Sequence, residues 1–147
     1  MIQYRNAVRR SGVDGRALVS TAKELLRSLG QERVTLSLAL VGDEAIRALN
    51  RQYRGKDYAT DVLSFPMDEG APGEDRLLGD VVISLDTARR QAADYDAPVQ
   101  RELYRLLIHG LLHLMGHDHV RAGERREMER EERRLAAAIA LPWPYRR

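Results

Sequence analysis

All four histidines of this 147-residue chain fall in one run of eleven, His109-Gly110-Leu111-Leu112-His113-Leu114-Met115-Gly116-His117-Asp118-His119. The run prescribes its own local path. On a helix His109 and His113, at i and i+4, project their imidazoles from one face toward the same point. Gly116 is free to adopt the left-handed conformation that ends a helix and turns the chain back. A third imidazole on the returning segment then closes a facial set of three nitrogens. Three protein ligands with a fourth position left over is the catalytic rather than the structural zinc pattern. His119 is the natural third ligand. His117, four residues past His113 across a turn, is the competing choice, and otherwise a neighbouring proton-carrying group. Asp118 reads either as an acceptor that orients an imidazole or as an exposed turn aspartate. One histidine on a helix is ordinarily a surface or hydrogen-bonded core residue, but few structural roles need three at this spacing.

Composition supports a metal held by nitrogen and oxygen, because the chain has no cysteine. With 44% hydrophobic and 31% charged residues the composition is ordinary for a globular domain. The length suits one domain with a core of its own. No apolar run approaches the ~20 residues that span a bilayer. Met1 to Arg10 carries no apolar signal region, so a cytoplasmic location without membrane partners is expected. The net charge is only +2, a weak argument for nucleic acid. The basic residues are 22 Arg and two Lys. That skew reads either as phosphate recognition by the guanidinium fork or as genome base composition.

Hydrophobic spacing predicts an edge strand at Ile2 to Arg5, a helix from Asp14 to Leu29 stopped by Gly30, and a strand from Val34 to Val41. Asp43 is expected to cap a helix through Tyr53 whose inner face holds Ile46, Leu49 and Tyr53. Val62 to Phe65 reads as a short strand stopped by Pro66, Met67 to Arg76 as a loop, and Leu77 to Leu85 as a strand. Asp86 is the expected cap of a helix through Tyr95. The histidine helix follows from Val99 to Met115, and a last amphipathic helix from Gly123 to Leu141. On that helix Glu124 to Arg134, Glu132 included, read as a solvated face of mixed-sign pairs. Strands and helices mix without strict alternation. The expected fold is therefore α+β, a single domain over residues 1–147 with a small mixed sheet and the metal-binding helix beside a cleft.

The histidine run coincides with the long zinc-protease signature, His-Glu-x-x-His-x-x-Gly-x-x-His, at every histidine and at the glycine. The glutamate does not coincide: Gly110 stands in its place. The metal cradle is kept while the peptide-cleaving base is missing. Such a site suits a substrate whose reaction gains more from positive charge. Arg54 and Lys56, flanking Gly55 just after a helix, supply that charge. In phosphodiester cleavage a guanidinium and a metal form an electrostatic clamp around the phosphoryl oxygens. The alternative is that both are solvated loop charges paired with Asp57 or Asp61. Thr60, Asp61 and Ser64 read either as substrate contacts or as residues satisfying backbone groups at a strand start. Asp80, in a strand, stands as a partner for the loop above the metal.

Two segments together resemble the YbeY endoribonuclease family of bacterial ribosomal-RNA maturation factors. Its histidine signature, His-Gly-x-Leu-His-Leu-x-Gly-(His or Tyr)-Asp-His, is met at every specified position by residues 109 to 119. Residues 53 to 66 resemble a second signature, Tyr-Arg-x-Lys-Asp-x-Pro-Thr-Asp-Val-Leu-Ser-Phe-Pro, and Leu78-Gly79-Asp80-Val81-Val82-Ile83 resembles a third element. Together they cover the chain from about Val34 onward. The resemblance implies an α+β domain holding one zinc ion with His109, His113 and His119. It implies that Arg54 serves activity and faces the metal cleft. Lys56, by its charge beside Arg54, is expected to help hold the RNA strand. The resemblance also implies action on precursor rRNA at the 3′ end of 16S rRNA, and in ribosome quality control. The implied partners are the small ribosomal subunit, one of its proteins and an Era-type GTPase. The chain departs from the family pattern at Ala59, where proline is usual, which frees the connector's backbone. Position 117 is His or Tyr in the family, which leaves His117 outside the ligand set. Two other readings stay open: a metalloprotease-like hydrolase without its glutamate, and a non-catalytic, zinc-stabilised ribosome-assembly factor.

Overall fold

Strands and helices follow one another as β1 (Ile2–Asn6), α1 (Gly15–Ser28), β2 (Val34–Val41), α2 (Asp43–Arg54), β3 (Val62–Glu69), β4 (Arg76–Ser84), α3 (Leu85–Asp94), α4 (Val99–Leu114) and α5 (Ala122–Ala138). The computed structural model describes residues 1–69, 76–117 and 121–145. The strands form one sheet in the order β1-β2-β4-β3. β1 and β4 run parallel to β2, and β3 returns antiparallel to β4. The sheet is therefore mixed, and the fold is the α+β arrangement expected.

Alternation along the strands sorts side chains into two faces. Leu36, Leu38 and Leu40 of β2 and Val81 and Ile83 of β4 point into the main core, where α1, α4 and α5 bring Leu18, Leu107, Leu111, Met128 and Leu135. Each fully buried leucine here contributes about 1.5–3 kcal/mol. On the opposite face α2 lays Ile46 over Val41, Leu63 and Val82. Asp80 alternates with Val81 and so lies on this α2 side of the sheet, away from the histidine helix. Its expected role beside the metal loop is corrected accordingly.

Several boundaries differ from expectation for identifiable reasons. Pro66 does not stop β3, which continues to Glu69. β3 is an edge strand, and its register with β4 shifts between Pro66 and Glu69, where a missing N–H is tolerated. The expected loop shortens accordingly, and its centre, residues 70–75, lies outside the described residues. Tyr53 is 57% exposed rather than buried on α2; its ring sits edge-on to Phe65 at 5.3 Å.

The two predicted aspartate caps exchange helices. Ser84, not Asp86, caps α3 by accepting from the Thr87 amide at 3.2 Å. Asp86 instead reaches across to accept from the Asp43 amide, 2.8 Å away at the start of α2, where Gly42 is the cap residue. Asp43 returns the contact, accepting from Ser84 Oγ at 2.6 Å, Thr87 Oγ1 at 2.7 Å and Arg90 at 2.8 Å. The starts of α2 and α3 are thus bolted together. Partial burial acts to raise the Asp43 carboxyl, but the hydrogen bonds from Ser84, Thr87 and Arg90 outweigh it and hold the group below its ordinary value of 3.8.

A carboxyl lowered in the folded state stabilises above its unfolded pKa and loses that contribution as the pH falls through its folded value. Asp43→Ala is expected to lose about 1–3 kcal/mol at neutral pH, since the buried Ser84 hydroxyl loses its acceptor. Urea unfolding at several pH values should show the gap between wild type and variant narrowing below about pH 4. A gap that stays constant down to strongly acid pH contradicts the role.

Candidate metal centre

The histidine helix closes as its sequence dictates. Gly116 is left-handed at φ +92°, its amide donates to the His113 carbonyl at 3.0 Å, and the His117 amide donates to the Leu112 carbonyl at 3.0 Å. This paired arrangement satisfies the last carbonyls of α4 and turns the chain sharply away. His109 and His113 bring their Nε2 atoms to 3.0 Å, with ring centroids 4.6 Å apart. Two nitrogens bound to one zinc at about 2.0–2.1 Å each, at a tetrahedral angle, stand about 3.3 Å apart. The observed pair is within a few tenths of an ångström of that, so the donor set fits the ion. Among the described residues no group of three His, Asp or Glu gathers as ligands. The expected third ligand, His119, lies with Asp118 outside the described residues. His117 lines a different cavity, beside Glu124 and Glu127.

Sequence reasoning missed the residue behind His109. Glu132 of α5 is fully buried, and its Oε2 lies 3.5 Å from His109 Nδ1. The expectation of a wholly solvated charged face on α5 is corrected here. Met128, Glu132, Leu135 and Ala136 form the inward stripe of that helix. The available signal was a glutamate at the position between Met128 and Leu135 where the helical period calls for an apolar residue. A carboxylate facing Nδ1 favours the tautomer with its proton there, which leaves the Nε2 lone pair for a metal.

Gly110 has a packing reason. A Cβ built on it meets Val81 Cγ1 at 2.8 Å, Ser64 Oγ at 3.2 Å and Val62 Cγ2 at 3.3 Å. Ser64 Oγ donates to the Gly110 carbonyl at 2.9 Å, tying β3 to α4. The place of the protease glutamate is thus pressed against the sheet, without room for a carboxylate.

A cavity of about 640 Å³ brings Arg54, Lys56, His109 and His113 together, walled by Thr60, Asp61 and Ser64. Arg54 closes α2 just before the left-handed Gly55. It donates from Nη2 to the Ser64 carbonyl at 2.6 Å and lies 5.3 Å from the Phe65 ring centroid. The acids that stood as partners for the basic pair are engaged elsewhere. Asp57 pairs with Arg47 at 2.9 Å, while Asp61 accepts from the Val62 amide at 2.8 Å and from Gln91 at 3.3 Å. Asp61 therefore satisfies the strand start, as one of its two expected readings has it, and its side chain also borders the cavity. The connector is pinned without proline at 59, because buried Asn50 donates to the Tyr58 carbonyl at 2.9 Å.

The family model described as Endoribonuclease YbeY matches residues 3–140. The Endoribonuclease YbeY of Anaeromyxobacter sp. is 55% identical over 126 residues, covering 86% of this chain and 65% of that protein. That of Myxococcus xanthus is 53% identical over 123 residues, covering 82% and 42%. That of Pelotomaculum thermopropionicum is 49% identical over 129 residues, covering 84% and 85%. The chain thus spans just under two thirds of the length of the Anaeromyxobacter relative and less than half of the Myxococcus one. The solution structure of TM1509 from Thermotoga maritima superposes with a TM-score of 0.62 at 27% identity, over 95% of this chain and 89% of that one.

Gly110→Ala tests the close approach of α4 to the sheet. In an open helix the change gains up to about 1 kcal/mol; here overpacking against buried Val81 is expected to cost about 1–3 kcal/mol net. A lowered denaturation midpoint supports the contact, and a raised one contradicts it.

Proposed function

The chain belongs to the endoribonuclease YbeY family, and on that footing we propose that it is a zinc-dependent endoribonuclease acting on precursor rRNA. The observation that carries the reading is the cavity where Arg54 and Lys56 face two histidines whose Nε2 atoms are spaced for one ion. His109, His113 and His119 are the residues that hold zinc. When bound there, zinc supplies Lewis acidity toward a phosphoryl oxygen.

The chain's own residues do the rest. Arg54 meets the phosphate with the N–H donors left after its bond to Ser64, stabilising charge that develops on the phosphoryl oxygens. Lys56 adds a point charge on the neighbouring stretch of backbone. Glu132 holds the His109 ring in place from the core side. Asp61 braces the first residue of β3 and keeps Gln91 ordered. Peptide hydrolysis is disfavoured, because position 110 admits no carboxylate base. The activity acts at the 3′ end of 16S rRNA and in ribosome quality control. Its partners there are the small subunit, one of its proteins and an Era-type GTPase. Among the described residues no helix is long and apolar enough to cross a membrane.

Zinc-loaded protein is expected to cut single-stranded precursor rRNA, and His113→Ala and Arg54→Ala are each expected to slow cutting by about 10²-fold or more. Equal cutting by all three proteins, or none by any, contradicts the reading. The product ends identify the nucleophile: a 2′,3′-cyclic phosphate marks the RNA 2′-hydroxyl, and its absence marks water. Glu132→Gln keeps the volume and removes the charge, and is expected to weaken zinc binding by about 10–100-fold by competition with a chromophoric chelator. An unchanged zinc affinity contradicts the positioning role.

A further inference from the structure

Beyond His109 a second cavity opens, of about 480 Å³, bounded by Tyr95, Asp94, Gln91 and Tyr145. Asp61 and His109 line this space and the phosphate cavity alike, so the two are adjoining rooms around one imidazole. Their chemistry differs sharply. The first presents Arg54 and Lys56. Among the described residues the second contains one cation, Arg105, and that charge is already answered. Arg105 donates to Glu102 Oε2 at 2.7 Å, and Glu102 is 1% exposed. The guanidinium also lies 4.6 Å from the Tyr145 ring centroid. With Asp61 and Asp94 in its walls, the second room repels a phosphate group.

It offers instead an aromatic platform with hydrogen-bond acceptors beside it. Tyr95, at the end of α3, is 46% exposed and meets Tyr145 edge-on at 4.8 Å; Tyr145 in turn rests against Trp143 at 4.9 Å. The floor is ordered in advance. Arg105 donates to Gln91 Oε1 at 3.2 Å, and Gln91 donates onward to Asp61 Oδ2 at 3.3 Å. A neutral, flat ligand that stacks on one face and donates hydrogen bonds from its edge fits such a room. Its volume lies within the roughly 300–1,000 Å³ usual for small-molecule sites.

We propose that this second cavity is a nucleobase subsite. Resting on the nuclease reading above, it takes the base adjoining the phosphate held by Arg54 and Lys56. That base passes His109, stacks on Tyr95 and turns its donor edge toward Asp94 and Asp61. One consequence follows from the chemistry. Carboxylate acceptors favour bases with an exocyclic amino group, so uracil is the weakest occupant.

The test is binding of short, fluorescein-labelled single-stranded RNAs to the zinc-loaded full chain by anisotropy, with one abasic site moved along the strand. One position is expected where loss of the base weakens wild-type binding by about fivefold or more. Tyr95→Ala should bind the intact RNA correspondingly more weakly and lose its sensitivity at that position, while Tyr95→Phe keeps the wild-type pattern. Uracil there should bind more weakly than adenine or cytosine. If no position depends on Tyr95 although the RNA is cut, the subsite is overturned and the nuclease reading stands. If a Tyr95-dependent position exists but nothing is cut, the subsite stands and the nuclease reading falls. If no RNA binds, both fall.

Discussion

The close approach of α4 to β3 and β4 at Gly110 governs the geometry of this molecule. Only the missing side chain lets the helix sit where Val81, Val62 and Ser64 touch it, and the Ser64 hydroxyl locks it there. His109 immediately precedes that contact and His113 follows one turn later, so both imidazoles are carried to the mouth beside β3. The same strand holds Arg54 through the Ser64 carbonyl. One residue of β3 thus sets the spacing between the basic group and the histidines, with its hydroxyl on one side and its backbone on the other.

Burying a glutamate is costly unless the charge meets a partner. Glu132 and Glu102 are both buried, and each is spent on a group at the cleft: Glu132 on the His109 ring, Glu102 on Arg105. The two carboxylates lie on different helices and serve adjoining cavities. Both buried carboxylates are therefore placed where the site needs orientation, within an interior that is otherwise mostly leucine, isoleucine, valine and alanine.

What could be read from the residues was whatever a short stretch specifies by itself. The i, i+4 histidines, the left-handed Gly116 and the alternating Val34-Leu36-Leu38-Leu40 face all follow from local periodicity and backbone preference. What escaped depends on partners far along the chain. Asp43 and Asp86 look like ordinary caps of their own helices, and only the packing of α2 against α3 shows that they exchange partners. Pro66 reads as a strand stop until β3 is known to be an edge. Glu132 hides among nine neighbouring charges, and its role exists only because α5 crosses behind His109. The aromatic room of Tyr95 and Tyr145 joins a helix end to the C-terminal segment, a juxtaposition without sequence periodicity.

On the proposed reading, the two clustered imidazoles share one divalent cation in a site left accessible to a phosphate. Anomalous diffraction at the zinc edge, from crystals of the zinc-loaded chain, would locate that ion. A single peak is expected with the Nε2 atoms of His109 and His113 about 2.0–2.1 Å away, His119 as third ligand, and a coordination position open toward Arg54. A peak remote from these rings, or an ion enclosed by four protein ligands, contradicts it.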